Sequence, residues 1–182
     1  GGAVTWHMAG PVVGRRGSTL RHLLRKIGVS GTTCGDKYVP HMFKVASIAT
    51  RLEVLAGLLD TDGSLNRNCY DFISRSSTLA EDVAFLSRSV GLAAYTQPCE
   101  KRDQNGRGGT YYRVSISGDT SIVPCRVERK RADSRKQKKS VLRTGFTVEQ
   151  LDNDRYYGFS ISGDGRFLLG DFTVTHNSGK TC

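Results

Sequence analysis

Leu55-Ala-Gly-Leu-Leu-Asp-Thr-Asp-Gly63 is the stretch on which the fold turns. It lies in a segment, Thr50 to Thr61, whose apolar positions 52, 54, 55, 58 and 59 keep the helical period, so the spacing predicts a helix over 50–61. Ala56 and Gly57 are small enough to let a second helix approach backbone to backbone, while the leucines face that partner or anchor the helix in its own core. The helix is expected to end near Gly63 and leave Asp62 exposed at its foot. Two such carboxylates facing each other could hold Mg²⁺ against a scissile phosphate. Taken alone, the nonamer also reads as a packed helix ended by an acidic turn. A calcium-binding EF-hand loop starting at Asp60 is excluded, because its sixth position needs Gly and holds Leu65.

Outward from this helix, Leu20, Leu23, Leu24 and Ile27 make an amphipathic helix over 18–27, capped by Ser18 or Thr19 and stopped by Gly28. Leu79, Val83, Leu86 and Val90 make another over about 79–90, with Ser77 or Thr78 as cap and Gly91 as stop. Strands are predicted at Tyr70–Ser74, Ala93–Gln97 and Tyr111–Ser117, the last alternating Tyr111, Arg113, Ser115 with Tyr112, Val114, Ile116. Residues 103–110 read as a hairpin tip. This order is an α+β unit. Residues 129–139 carry seven basic side chains and one acid, a pattern that by itself predicts a solvated segment. Charge thins after Val141, which places a domain boundary near 140, and two further strands, Tyr156–Ile161 and Phe167–Val174, are expected around the turn Ser162–Arg166.

The 182 residues, 37% of them hydrophobic, suffice for a packed core, and a formal charge of +10 implies an anionic partner, nucleic acid first. Five cysteines without a C-x-x-C argue against a disulfide framework and a zinc site, and point to a reducing, intracellular setting, cytoplasmic or nuclear. No secretion signal opens the chain and no apolar run approaches the roughly 18 residues of a membrane span, so no membrane partner is expected.

The nonamer resembles the LAGLIDADG signature of homing endonucleases, matching seven of nine positions. Lys37-Tyr-Val-Pro40 upstream is similar to the lysine-bearing block before the second LAGLIDADG copy of intein-borne enzymes; Ser77 to Leu92 resembles the helix that follows it, and Val123 to Arg131 the closing basic block. The resemblance covers roughly residues 15 to 131. It implies an αββαββ-like half-domain that cuts double-stranded DNA with Mg²⁺, in which Asp62 binds metal and Lys37 and Lys130 lie near the phosphate. The basic side chains Arg129, Arg131, Arg135, Lys136, Lys138 and Lys139 are the candidate DNA contacts. Single-chain members of the family carry two copies of the motif, and only one stands here.

At the other end, Gly179-Lys180-Thr181 closes a phosphate-binding G-x-x-x-x-G-K-[ST] loop whose opening glycine would fall at Val174. Just before it stands His176-Asn177-Ser178. The Asn177 carboxamide is placed to attack its own carbonyl and expel the following amine as a succinimide forms, with His176 polarising that carbonyl or protonating the leaving nitrogen. Ser178 offers a hydroxyl nucleophile for the preceding transesterification. Alone, the triplet also reads as a surface loop. Tyr156 through Ser178 is similar to the two C-terminal splicing blocks of inteins, with Gly158 and Arg166 standing where many inteins have Asp and His. The resemblance implies a protein-splicing element inserted in the P-loop of an NTPase-type host. Gly1 is no nucleophile and His7 lies outside any Thr-x-x-His block, so the N-terminal splicing half is expected on a separate partner.

The combined expectation is a LAGLIDADG half-domain over 1–140, the last β-strands of a Hint-type splicing domain over 141–177 and host sequence over 178–182. His176, Asn177 and Ser178 would perform Asn cyclisation and C-terminal cleavage without a cofactor, in trans with an N-terminal intein half. The alternatives are a homodimeric LAGLIDADG endonuclease and a basic DNA-binding module without catalysis.

Overall fold

A computed structural model describes residues 19–102, 108–134, 140–143, 145–155 and 157–177. The fold is α+β. Helices α1 (Thr19–Lys26) and α2 (His41–Lys44) lead into α3 (Ile48–Asp62), which passes directly into β1 (Gly63–Asn66) and β2 (Cys69–Ser74). Helix α4 (Ser77–Ser89) is followed by the long pair β3 (Ala93–Arg102) and β4 (Gly108–Ser117), and two short strands, β5 (Arg166–Leu168) and β6 (Val174–His176), lie near the C-terminus. From α3 to β4 the order is αββαββ, and its four strands form one antiparallel sheet in the order β1-β2-β4-β3.

Capping sets the helix starts. The Ser47 hydroxyl accepts from the Thr50 amide at 3.3 Å, and the Ser76 hydroxyl from the Leu79 amide at 3.1 Å, so α4 begins earlier than its leucine spacing predicts. Gly91 ends α4 at φ +89, where a side chain would be strained. The β1–β2 turn is made by Arg67 and Asn68 at φ +50 and +55 between the paired residues Asn66 and Cys69, a two-residue turn with both centres left-handed.

One face of the sheet carries Tyr70, Phe72, Ala94, Val114 and Ile116, all buried, against Leu55, Ala56 and Leu59 of α3 and Leu79, Ala80, Val83, Ala84 and Leu86 of α4. The alternation along β2 and β4 follows from the two-residue period of a strand, which sends every second side chain to the helices.

Several expectations are corrected. Ala56 has no exposed surface and belongs to the chain's own core, so of Ala56 and Gly57 only Gly57 faces outward. Residues 157–161 form no strand although their side chains alternate, and 167–174 divides into β5, a reversal and β6. The reversal is closed by bonds from the Leu169 amide to the Thr173 carbonyl at 2.8 Å and from the Phe172 amide to the Leu169 carbonyl at 3.0 Å, with Phe172 at φ +70. The Phe172 ring lies edge-on to Phe85 of α4, centroids 4.9 Å apart. Within the basic run, Lys130 is buried rather than solvated. Residues 135–139, 178–182 and most of the expected hairpin tip, 103–107, lie outside the described residues. No disulfide joins the four described cysteines.

Candidate active site and nucleic-acid interface

The end of α3 organises the site. Asp62, the last helical residue, is exposed and lines a concavity of about 170 Å³ together with Lys37, Ser74, Arg75, Tyr111 and Cys34. The structure thus brings together two residues, Asp62 and Lys37, that lie 25 positions apart in sequence. Lys37 reaches this place because its segment hangs on α4: the buried Ser76 hydroxyl that caps α4 donates to the Lys37 carbonyl at 2.6 Å. Six residues along α4, the buried Asp82 carboxylate accepts from the Val39 amide at 2.8 Å and from the Lys44 ammonium at 2.5 Å.

Lys130 occupies a different position. Its ammonium donates to the carbonyls of Leu59 (2.9 Å), Asp60 (2.8 Å) and Thr61 (3.2 Å), the last turn of α3. Burial pushes its pKa down and Arg129 adds to this, against the pull of the Asp60 and Asp62 carboxylates. Asp60 accepts in return from the amides of Arg126 (2.8 Å) and Val127 (3.1 Å), and the buried Tyr70 hydroxyl donates to the Lys130 carbonyl at 2.6 Å. Burial and the nearby Cys125 thiol raise the Tyr70 pKa, and burial raises that of Cys125. Arg129 is exposed, while the Arg131 guanidinium turns back to the Cys125 and Arg126 carbonyls at 3.2 and 3.4 Å. The candidate contacts Arg135, Lys136, Lys138 and Lys139 lie outside the described residues.

The face of the sheet turned away from the helices carries a largely polar array, Ile73 apart, that the sequence reading did not nominate. Ser64, Asp71, Ser115 and Tyr95 stand in one cross-strand row, and Ile73, Arg113 and Gln97 in the next. Asp71 accepts from the Ser115 hydroxyl at 2.7 Å. The signal was present in the alternation of Arg113 and Ser115 with Val114 and Ile116, which marks one face of β4 for the core and the other for water.

At the C-terminal hairpin, His176 stands opposite Arg166 in the β5–β6 register. Gly165, at φ +72, lies against the imidazole: a Cβ there would fall 2.9 Å from His176 Nε2. The Asn177 amide donates to the Gly165 carbonyl at 2.7 Å, and its side-chain nitrogen donates to the Phe159 carbonyl. Arg166 binds Asp164 through Nε at 2.6 Å, which holds the Asp164 carboxyl below the usual carboxylate range with help from nearby His176. Ser178 lies outside the described residues.

Residues 49–125, from the start of α3 to the segment after β4, match the family model of the LAGLIDADG-like domain, and the chain therefore carries such a domain. Over 105 residues the chain is also 34% identical to the replicative DNA helicase DnaB of Mycobacterium intracellulare, a match covering 57% of this chain and 18% of that protein. The chain thus spans less than a fifth of that relative's length. Among the described residues no helix is long and apolar enough to cross a membrane, and no group of three His, Cys, Asp or Glu side chains is placed to hold a metal ion.

Proposed function

We propose that residues 1–140 act as one half of a homing-endonuclease-type DNA-cleaving enzyme, completed by a second helix of the α3 kind. The observation that carries this reading is the concavity shared by the exposed Asp62 and Lys37, beside the polar outer face of the sheet. Duplex DNA would lie on that face, with Arg113, Gln97, Asp71 and Tyr95 toward base edges and the exposed Arg129 toward phosphates. The second helix would pack on the side of α3 that exposes Glu53, Gly57 and Thr61. A second copy of this chain or a separate half would each supply it.

Asp62 suits Mg²⁺ as one carboxylate of a site that a second carboxylate and phosphate oxygens complete, since this ion is commonly held by one or two carboxylates plus substrate. When bound, the ion would polarise a phosphoryl oxygen and lower the pKa of attacking water. Lys37 would contribute its ammonium to charge developing on the phosphate. The test is nicking of supercoiled plasmid in Mg²⁺: Asp62→Ala abolishes it and Lys37→Met lowers it about a hundredfold. Nicking that survives Asp62→Ala would refute the assignment.

A second activity is favoured by the hairpin that presents His176 and Asn177. Residues 141–177 would be the C-terminal part of an intein, in which Asn177 Nδ2 attacks the Asn177 carbonyl carbon, the bond to residue 178 breaks, and His176 supplies a proton to the departing amine. Leu142, Phe146, Val148, Leu151 and Tyr157 all leave more than four-fifths of their surface uncovered, which fits strands awaiting those of an N-terminal half. The similarity to a replicative helicase fits a P-loop host, because a helicase is NTP-driven and removal through Asn177 would rejoin a phosphate-binding turn at Gly179-Lys180-Thr181. Mixing the chain with an N-terminal intein half is expected to give a ligated product in which the partner's N-extein is joined to Ser178, with none from Asn177→Ala. Ligation by that variant would exclude Asn cyclisation.

A further inference from the structure

We propose that Lys130 is a positioning residue: it closes the C-terminal end of α3, so sets the place of Asp62, and makes no contact with the phosphate. The proposal rests on the reading of Asp62 as the carboxylate of the reacting site.

Helix α3 runs into β1 without a loop, so where the helix stops decides where Asp62 stands. The last carbonyls of a helix have no partner within it. Here the Leu59 carbonyl accepts from the Gly63 amide and from Lys130, and the Asp60 and Thr61 carbonyls accept from Lys130. One turn earlier, the Thr61 hydroxyl lies within bonding distance of the Gly57 and Leu58 carbonyls, at 3.1 and 3.0 Å. An ammonium has three N–H donors. All three Lys130 donors are spent on α3, in a side chain that leaves 3% of its residue surface exposed, so none is directed at a ligand. A cation at this end also complements the helix dipole.

The grip is reciprocal. Lys130 reaches α3 from a segment about 70 residues downstream, and that segment is held by α3 through Asp60, which accepts the Arg126 and Val127 amides. Tyr70 of β2 holds the Lys130 carbonyl from beneath. The end of α3, the start of the sheet and residues 126–130 are one interlocked unit with Asp62 on its rim.

Two substitutions separate positioning from charge. Lys130→Met keeps length and removes every donor; Lys130→Arg keeps charge, but its planar fork does not converge on three carbonyls of one helical turn. In the full chain, amide hydrogen exchange of residues 60–65 is expected to accelerate about tenfold in both variants, with Val83–Leu86 of α4 unchanged as the control for global unfolding. The Mg²⁺ concentration for half-maximal nicking is expected to rise about tenfold in both, with the Kd for DNA unaltered, as displacement of a metal ligand requires. Nicking restored by Arg, with exchange at 60–65 unchanged, would overturn the proposal in favour of a phosphate contact. Absence of nicking by the unsubstituted chain alone would defeat completion by a second copy, and absence with a separate half added would defeat the endonuclease reading, while the exchange arm still decides whether Lys130 closes the helix. Should Lys130→Met not fold, Lys130→Gln, which keeps two donors, carries the same measurements.

Discussion

Two glycine-to-alanine substitutions on the α3 signature are expected to change stability in opposite directions. At Gly63 the backbone is extended (φ −79, ψ 157), which alanine adopts freely, so restricting the unfolded chain would by itself stabilise by about 0.4–1 kcal/mol. The added Cβ, however, would sit 2.7 Å from the Leu59 carbonyl oxygen, 2.8 Å from its Cα and 2.9 Å from its Cδ2. That carbonyl cannot yield cheaply, because it already accepts from Gly63 and Lys130 and belongs to a fully buried residue. Overpacking of this kind costs about 1–3 kcal/mol, which outweighs the entropic gain and leaves Gly63→Ala about 1–2 kcal/mol less stable. At Gly57 a Cβ meets nothing within 4 Å, and an alanine in a helix interior gains about 0.8–1 kcal/mol. Urea unfolding followed by far-ultraviolet circular dichroism, with unchanged slope, reads both. A Gly63→Ala variant as stable as the parent would refute the clash, and a destabilised Gly57→Ala would mean that this face of α3 is covered within the chain. If a second helix packs on Gly57, the stabilised Gly57→Ala chain associates more weakly, which sedimentation equilibrium measures.

Leu59→Ala, which empties a fully buried site between α3 and the sheet, is expected to cost about 2–5 kcal/mol in the same unfolding assay. Ser76→Ala removes the cap of α4 and the donor to the Lys37 carbonyl together; about 1–2 kcal/mol of stability should go, and nicking should fall even where the variant is fully folded. The Asp164 carboxyl, held low by Arg166, contributes to the hairpin above the ordinary carboxylate value of about 3.9, and that contribution is lost as pH falls through its folded value. Carboxyl carbon titration by NMR should therefore give a higher midpoint in Arg166→Ala; equal midpoints would remove the ion pair as the cause.

What the sequence made legible follows from how far apart the determinants lie. α3, α4 and the alternation of β4 were readable because each is decided by neighbours within about two turns or two strand repeats. β1 was not, since four residues carry little period and the left-handed turn at Arg67 and Asn68 lacks the glycine that usually marks it. Residues 157–161 show the opposite failure: Tyr157, Phe159 and Ile161 have the right alternation, but pleated side chains are stabilised by a strand beside them, and none pairs with this stretch among the described residues. The site divides in the same way. Asp62 was readable because a helix end follows from local capping, whereas the place of Lys37 depends on Ser76 and Asp82, 39 and 45 positions away. Lys130 is the sharpest case. In a run of seven basic residues nothing local distinguishes one lysine from the next, and only the open carbonyls of a helix end 70 positions upstream give this one a reason to be buried. A buried charge needs its acceptors arranged around it before its burial can be understood, and those acceptors here are backbone atoms, which are alike in every sequence.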